Sequence, residues 1–120
     1  MILKEMAKIG EIDTQVGKTG NYEIWIYTND AGNKPHFHII NEQTGFSCCV
    51  CILECDYFIH EGKEDTLNHK LKKSLVYFLN KKRKTGLTNW AFLCESWDAN
   101  NSKMELPDDI YWNMPDYMNL

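Results

Sequence analysis

The chain has 120 residues, of which 43% are hydrophobic and 12% aromatic, with a formal net charge of −4. A chain of this length can bury a core as one domain without disulfide or metal staples, and its composition excludes intrinsic disorder. No run of eighteen apolar residues exists to cross a membrane, and Lys4 and Glu5 follow Met1-Ile2-Leu3 too closely for a signal-peptide core.

Residues 1–20 allow two readings. Ile9, Ile12 and Val16 fit one face of a short helix, whereas Ile9-Gly10-Glu11-Ile12 also reads as an edge strand closed by a turn at residues 17–20. The strand is the reading adopted. Tyr22 to Thr28 is rich in β-branched and aromatic residues, which suit a pleated surface, and Asn29 to Asn33 collects turn formers. A further strand is expected from His36 to Asn41, a turn at Glu42 to Gly45, and a strand at Phe46 to Leu53. That last segment is almost continuously apolar, as in a strand covered on both faces. Asp56 to His60 is read as a fourth short strand of the meander.

Thr66, preceded by Asp65, is the expected N-cap of an amphipathic helix whose stripe is Leu67, Leu71, Leu75, Phe78 and Leu79. Gly86 is its expected stop. Thr88 or Asn89 caps a second helix carrying Trp90, Leu93, Cys94 and Trp97, which frays at Asn100-Asn101. From Glu95 to Leu120 there are six acids and one lysine, and Pro107 and Pro115 argue against a long helix. The expected fold is therefore α+β: a three- to four-stranded antiparallel meander with the first helix on one face and the second, short helix at its edge. Residues 1–101 are assigned to one domain and residues 102–120 to an acidic, aromatic C-terminal tail.

Two features carry chemistry. His36 and His38 alternate on a strand and so share a face, with Pro35 restricting the approach and Asp30 the nearest preceding acid. Their plain reading is structural, one exposed and one hydrogen-bonded. Their sharper reading is a pair for acid/base or ligand chemistry near neutral pH, with Asp30 in support. If Asn41 faces Phe46, His38 lies opposite Cys49 and His36 opposite Cys51, a Cys2His2 set of the kind that holds zinc. A slip of one residue dissolves that set. The cysteines from Cys48 to Cys55 otherwise read as core, and no cofactor is expected. A histidine-triad motif is excluded, because the third alternate position is Ile40. His60 and His69 lie apart from the pair in sequence.

The second feature is charge. Lys70, Lys72, Lys73, Lys81, Lys82, Arg83 and Lys84 follow one another with no acid between Thr66 and Lys84, while the rest of the chain holds six cations against 17 acids. Such a stripe suits phosphate, as in RNA, with Lys70, Lys73, Lys81 and Arg83 as the expected contacts. Its plain readings are a solvated helix face, or a face covered by Asp108, Asp109 and Asp116 folding back.

A strand ending in an acidic turn, then Pro35-His36-Phe37-His38-Ile39, two more strands, a helix and a closing Glu95-Ser96-Trp97-Asp98-Ala99-Asn100 resembles the small domain-of-unknown-function family 4160, over about residues 9 to 101. Asp30, Pro35, His36, His38 and Trp97 match its pattern. The chain departs from it in its single proline before His36, its longer turn, its cysteine cluster and its acidic tail. The resemblance implies a bacterial or phage-borne protein of the kind encoded beside a small partner gene, as in toxin and antitoxin pairs. The functional expectation is a cytoplasmic, toxin-like or mobile-element protein that binds or processes RNA or another phosphate-bearing ligand. Reduced thiols, implied by five cysteines without an export signal, agree with that compartment. The alternative is a non-catalytic module that binds a host protein through Tyr111, Trp112 and Tyr117 of the acidic tail.

Overall fold

The computed structural model describes residues 6–12, 21–28, 34–58 and 65–120. Four strands, β1 (Met6–Ile12), β2 (Tyr22–Tyr27), β3 (His36–Asn41) and β4 (Phe46–Cys51), pair antiparallel in chain order. Two helices follow, α1 (His69–Asn80) and α2 (Asn89–Asn100), and then short 3-10 turns at Asp108–Trp112 and Tyr117–Asn119. This is the expected α+β meander with four strands. Among the described residues no helix is long and apolar enough to cross a membrane.

Alternation divides the sheet. Ile24, Ile26, Phe37, Ile39, Cys48 and Val50 belong to one buried cluster with Leu71, Leu75, Leu79, Leu93 and Trp97 of the helices. Trp25, Tyr27, His36, His38, Cys49 and Cys51 alternate with them and take the other face. Each outer strand is guarded against edge pairing. In β1 the register slips between Lys8 and Gly10, a bulge at Ile9, and Lys8 bonds Glu11 and Glu23 at 2.8 and 2.7 Å. At β4 the chain doubles back: Cys51 N donates to Asp56 O, Phe58 N to Cys49 O, and Ser47 N to the Asp65 carboxylate. The expected fourth short strand is thus reduced to one bridge, Tyr57 to Val50, and Ile59 and His60 lie outside the described residues.

The Asn41 side chain organises the turn between β3 and β4 by accepting from Gln43 N and Thr44 N, and Gly45 takes a φ of 75°. The helix boundaries differ from expectation at both ends of α1. Its N-cap is Asn68, whose Oδ1 accepts from Leu71 N at 2.8 Å, and Thr66 and Leu67 precede the helix. Gly86 is not the stop. The helix ends at Asn80, and Gly86, at φ 91°, makes the tight turn that lets Lys82 bridge to Thr88. Thr88 caps α2 as expected, accepting from Ala91 N.

Both helices lie on one face, but α2 is more central than an edge position. It packs on β1 and β2, against α1 and against the turn at Asp108–Trp112. Asn89, Trp90, Ala91, Leu93, Cys94, Ser96 and Trp97 are all buried, so α2 is covered nearly all round. A helix with so weak a polar face is stable only when sandwiched.

Candidate functional site

The histidine layer forms because β3 and β4 pair in the register that sets His38 opposite Cys49 and His36 opposite Cys51. All four side chains are buried, His36 fully and His38 to 6% exposure. The Tyr27 ring stacks on His38 at 4.0 Å, and Phe58, brought over by the doubled-back chain, stacks on His36 at 4.4 Å. Trp97 of α2 lies 5.8 Å from His36, and the two imidazoles meet edge to face at 5.0 Å.

Polar contacts fix both rings. His36 Nδ1 lies 2.6 Å from Lys34 O, and since a carbonyl only accepts, that nitrogen carries the proton. Cys49 Sγ lies 3.1 Å from His38 Nδ1. Burial, and then the Glu54 carboxylate, push the Cys51 thiol above its ordinary range, so it is neutral near pH 7. Among the described residues no three His, Cys, Asp or Glu side chains are arranged to hold a metal ion. The layer therefore has the register of the Cys2His2 alternative, with one nitrogen of each imidazole turned to a protein partner. Asp30 and His60 lie outside the described residues, and His69 begins α1, exposed and in another part of the fold. Cys48, Cys49 and Cys51 are core as expected, whereas Cys55 is exposed and its thiol lies 3.2 Å from Asp116 O.

The basic segment divides differently from the expected four contacts. Leu71, Leu75 and Leu79 turn inward, which at 3.6 residues per turn sends Lys70, Lys73, Tyr77 and the C-cap Lys81 outward in one stripe. Lys70, Lys73 and Lys81 are exposed, and no ion pair involves them among the described residues. Lys82 and Lys84 extend the charge past the helix end, also exposed. Arg83 is turned inward. Its Nη1 donates to Ile9 O at 2.9 Å and to Asn89 Oδ1 at 3.0 Å, and its guanidinium lies 3.9 Å over the Phe92 ring. Lys72 leaves the stripe as well, donating to the main-chain oxygen of Leu120.

The acids of the C-terminal segment do not cover the stripe. Asp116 caps the last 3-10 turn by accepting from Met118 N, while Asp108 and Asp109 are exposed and pair with no lysine among the described residues. The segment is held instead by its apolar side chains. Leu106, Ile110 and Tyr117 belong to the main core, and of the three aromatics expected at the surface only Trp112, at 80% exposure, is there.

Tyr77, at 74% exposure, is the functional candidate that the count of charges missed. Its signal was available in the spacing, one helical turn from both Lys73 and Lys81. Comparison of the chain with protein-family models, curated proteins and solved structures finds no match. Function is therefore read from these two surfaces alone.

Proposed function

We propose that this protein binds RNA or another phosphate-bearing ligand through the outer stripe of α1. The observation that carries the proposal is that Lys70, Lys73 and Lys81 stand exposed on one helix face, without an ion pair among the described residues, on a chain that is acidic elsewhere. Unpaired cations are what phosphate contact requires, because each must release counterions from the ligand when it docks. Arg83 is left out of this ligand set, since its Nη1 bonds β1 and α2 and its guanidinium lies over the Phe92 ring.

Binding is favoured over processing. A general acid or base has to reach the proton it moves, and both imidazoles are enclosed by Tyr27, Phe58 and their own strand neighbours. His36 and His38 then serve as a stacked, hydrogen-bonded layer under the second face of the sheet. Replacement of both by glutamine should lower thermal stability and leave ligand affinity below the melting temperature unchanged. Loss of affinity in a folded variant would return the histidines to the site.

The resemblance to a family associated with toxin and antitoxin pairs favours a cytoplasmic, mobile-element setting for this activity. The test is a titration of short RNA and DNA at several salt concentrations. Three lysine contacts predict a slope of about −2 in log affinity against log salt for a single strand. Substitution of Lys70, Lys73 and Lys81 by glutamine should abolish both the affinity and the slope. Absence of binding at low salt would sink the proposal.

One observation favours the alternative of a protein-binding module. Trp112 is 80% exposed beside the exposed carboxylates of Asp108 and Asp109, and large aromatics are common interface anchors. Trp112→Ala removes that anchor without opening the core. A partner that copurifies with the intact protein should be lost from this variant, and its retention would exclude the module.

A further inference from the structure

We propose that the ligand of the α1 stripe is single-stranded nucleic acid, with the Tyr77 ring as a stacking platform for one base and Lys70, Lys73 and Lys81 on the flanking phosphates. The inference rests on the phosphate-binding reading above and adds to it the strandedness of the ligand and a residue that reads the base.

Tyr77 is at odds with its surroundings in a way the fold does not require. The Tyr57 hydroxyl oxygen accepts from Leu67 N, Tyr111 donates to Asp98, and Tyr117 donates into the β4 terminus, while Tyr22 and Tyr27 are in ring contacts with Phe46 and His38. Each of those five tyrosines is used by the structure. Tyr77 makes no hydrogen bond or ring contact among the described residues and presents its ring to solvent. It does so on the polar face of a helix whose inner face is already filled by Leu71, Leu75 and Leu79.

The placement fits a strand of nucleotides. Lys73 precedes Tyr77 by about 6 Å along the helix axis, Lys81 follows by a similar rise, and Lys70 to Lys81 spans about 16 Å. A base resting on the ring would therefore have cations before and after it along the backbone. Aromatic platforms flanked by basic groups are the general means of holding single strands, because every base has a face to stack. A duplex keeps those faces inside its own stack and would meet Tyr77 only with its backbone. The acidic body also favours a ligand that contacts the stripe alone, since a broad polyanion would be pressed against the carboxylates beyond it.

The experiment uses the full chain and fluorescein-labelled twelve-nucleotide probes, read by anisotropy: single-stranded RNA, single-stranded DNA, and the RNA duplex. It compares the intact protein with Tyr77→Ala, Tyr77→Phe and the Lys70→Gln/Lys73→Gln/Lys81→Gln triple variant. The expected result is tighter binding of single strands than of duplex, with Tyr77→Ala weakening single-strand affinity roughly 5- to 150-fold at an unchanged salt slope. Tyr77→Phe, which keeps the ring, should bind as the intact protein does. RNA and DNA strands binding in this pattern both support the proposal. Single-strand binding that is indifferent to Tyr77→Ala but lost in the lysine variant would overturn the stacking inference and leave the phosphate-binding surface standing, as would equal or tighter binding of duplex. Failure of every probe to bind at low salt would overturn both.

Discussion

At the scale of single residues, the side chains that settle this fold are polar groups placed among apolar ones. Arg83 ties the β1 bulge to the start of α2 through Ile9 O and Asn89 Oδ1, and Asn89 Nδ2 donates in turn to Phe78 O at 2.8 Å. Arg83→Met keeps an unbranched apolar stem and removes both hydrogen bonds together with the guanidinium over Phe92. It should cost about 1.5–3 kcal/mol in a denaturant titration, the scale of bonds to a charged group, and leave the salt slope of oligonucleotide binding unchanged. A changed slope with unchanged stability would place Arg83 in the ligand set after all.

The thiols make a second residue-scale prediction. Cys94 of α2 is buried in the core, and burial, assisted by Asp98, pushes its pKa from 9.0 to about 12. Burial also raises the hydroxyls of Tyr111 and Tyr117 above their ordinary range, with Asp98 adding to the first and nearby thiols to the second. All three hold their protons more tightly folded than unfolded, so the unfolded chain binds fewer protons at alkaline pH. Their contribution is complete below pH 9 and falls as pH rises above it, the share of Cys94 being lost toward about 12 and that of the tyrosines at still higher pH. The melting temperature should therefore fall steadily above pH 9, and less steeply in Cys94→Ala. Iodoacetamide at pH 8 should modify Cys55 in the native protein and all five cysteines once it is denatured.

At the scale of elements, α1 is capped two residues later than the Thr66 cap expected from the sequence. Thr66 and Asn68 are both good caps by type, but Asn68 is the one whose side chain meets an amide of the first turn. Asn68→Ala should destabilise the protein by about 1 kcal/mol, whereas Thr66→Ala should stay within about 0.5 kcal/mol, both read from chemical denaturation. The opposite order would move the helix start back to Thr66. The sheet shows the same competition between local and tertiary preference at Gly10. A Cβ there would lie 2.5 Å from Phe78 Cζ, so the β1 backbone accommodates α1 by having no side chain at the crossing.

At the scale of the whole molecule, residues after 101 complete the core. The indole N–H of Trp97 donates to Met104 O and that of Trp90 to Ile110 O, both at 2.8 Å. Asp98 accepts from Leu106 N and from the Tyr111 hydroxyl, and the Tyr117 hydroxyl reaches Cys51 O and Ile52 O across the molecule. Removing residues 103–120 would uncover the sites of Leu106, Ile110 and Tyr117, about 1.5–3 kcal/mol each, and strip two buried indoles of their acceptors. The sum is comparable with the whole stability of a small domain, about 5–15 kcal/mol. The truncated chain should lose its cooperative thermal transition by circular dichroism. A truncated chain that melts cooperatively near the parent temperature would show the segment to be dispensable.

Much of the scaffold was legible because it is written in local patterns. The β-branched run from Tyr22, the turn residues before Gly45, the leucines of α1 and Thr88 ahead of α2 each act within a few residues, where backbone preference and side-chain period decide. The cation stripe was legible for the same reason, and Tyr77 would have been, had the aromatic been read on the same wheel as the lysines. Other features depend on what meets what across the chain. His36 and His38 are enclosed because Phe58 returns over β3, and Arg83 leaves the charged face because a bulge 74 positions away offers a carbonyl. The polar, proline-bearing segment from residue 102 looks like a solvated tail until the indoles of α2 need acceptors. Sequence by itself determined the antiparallel meander, its two helices and the run of cations along α1, since each is a property of neighbours along the chain. Only the tertiary structure decided which polar groups are spent inside and which remain at the surface, since the contacts that satisfy a buried donor come from anywhere in the fold.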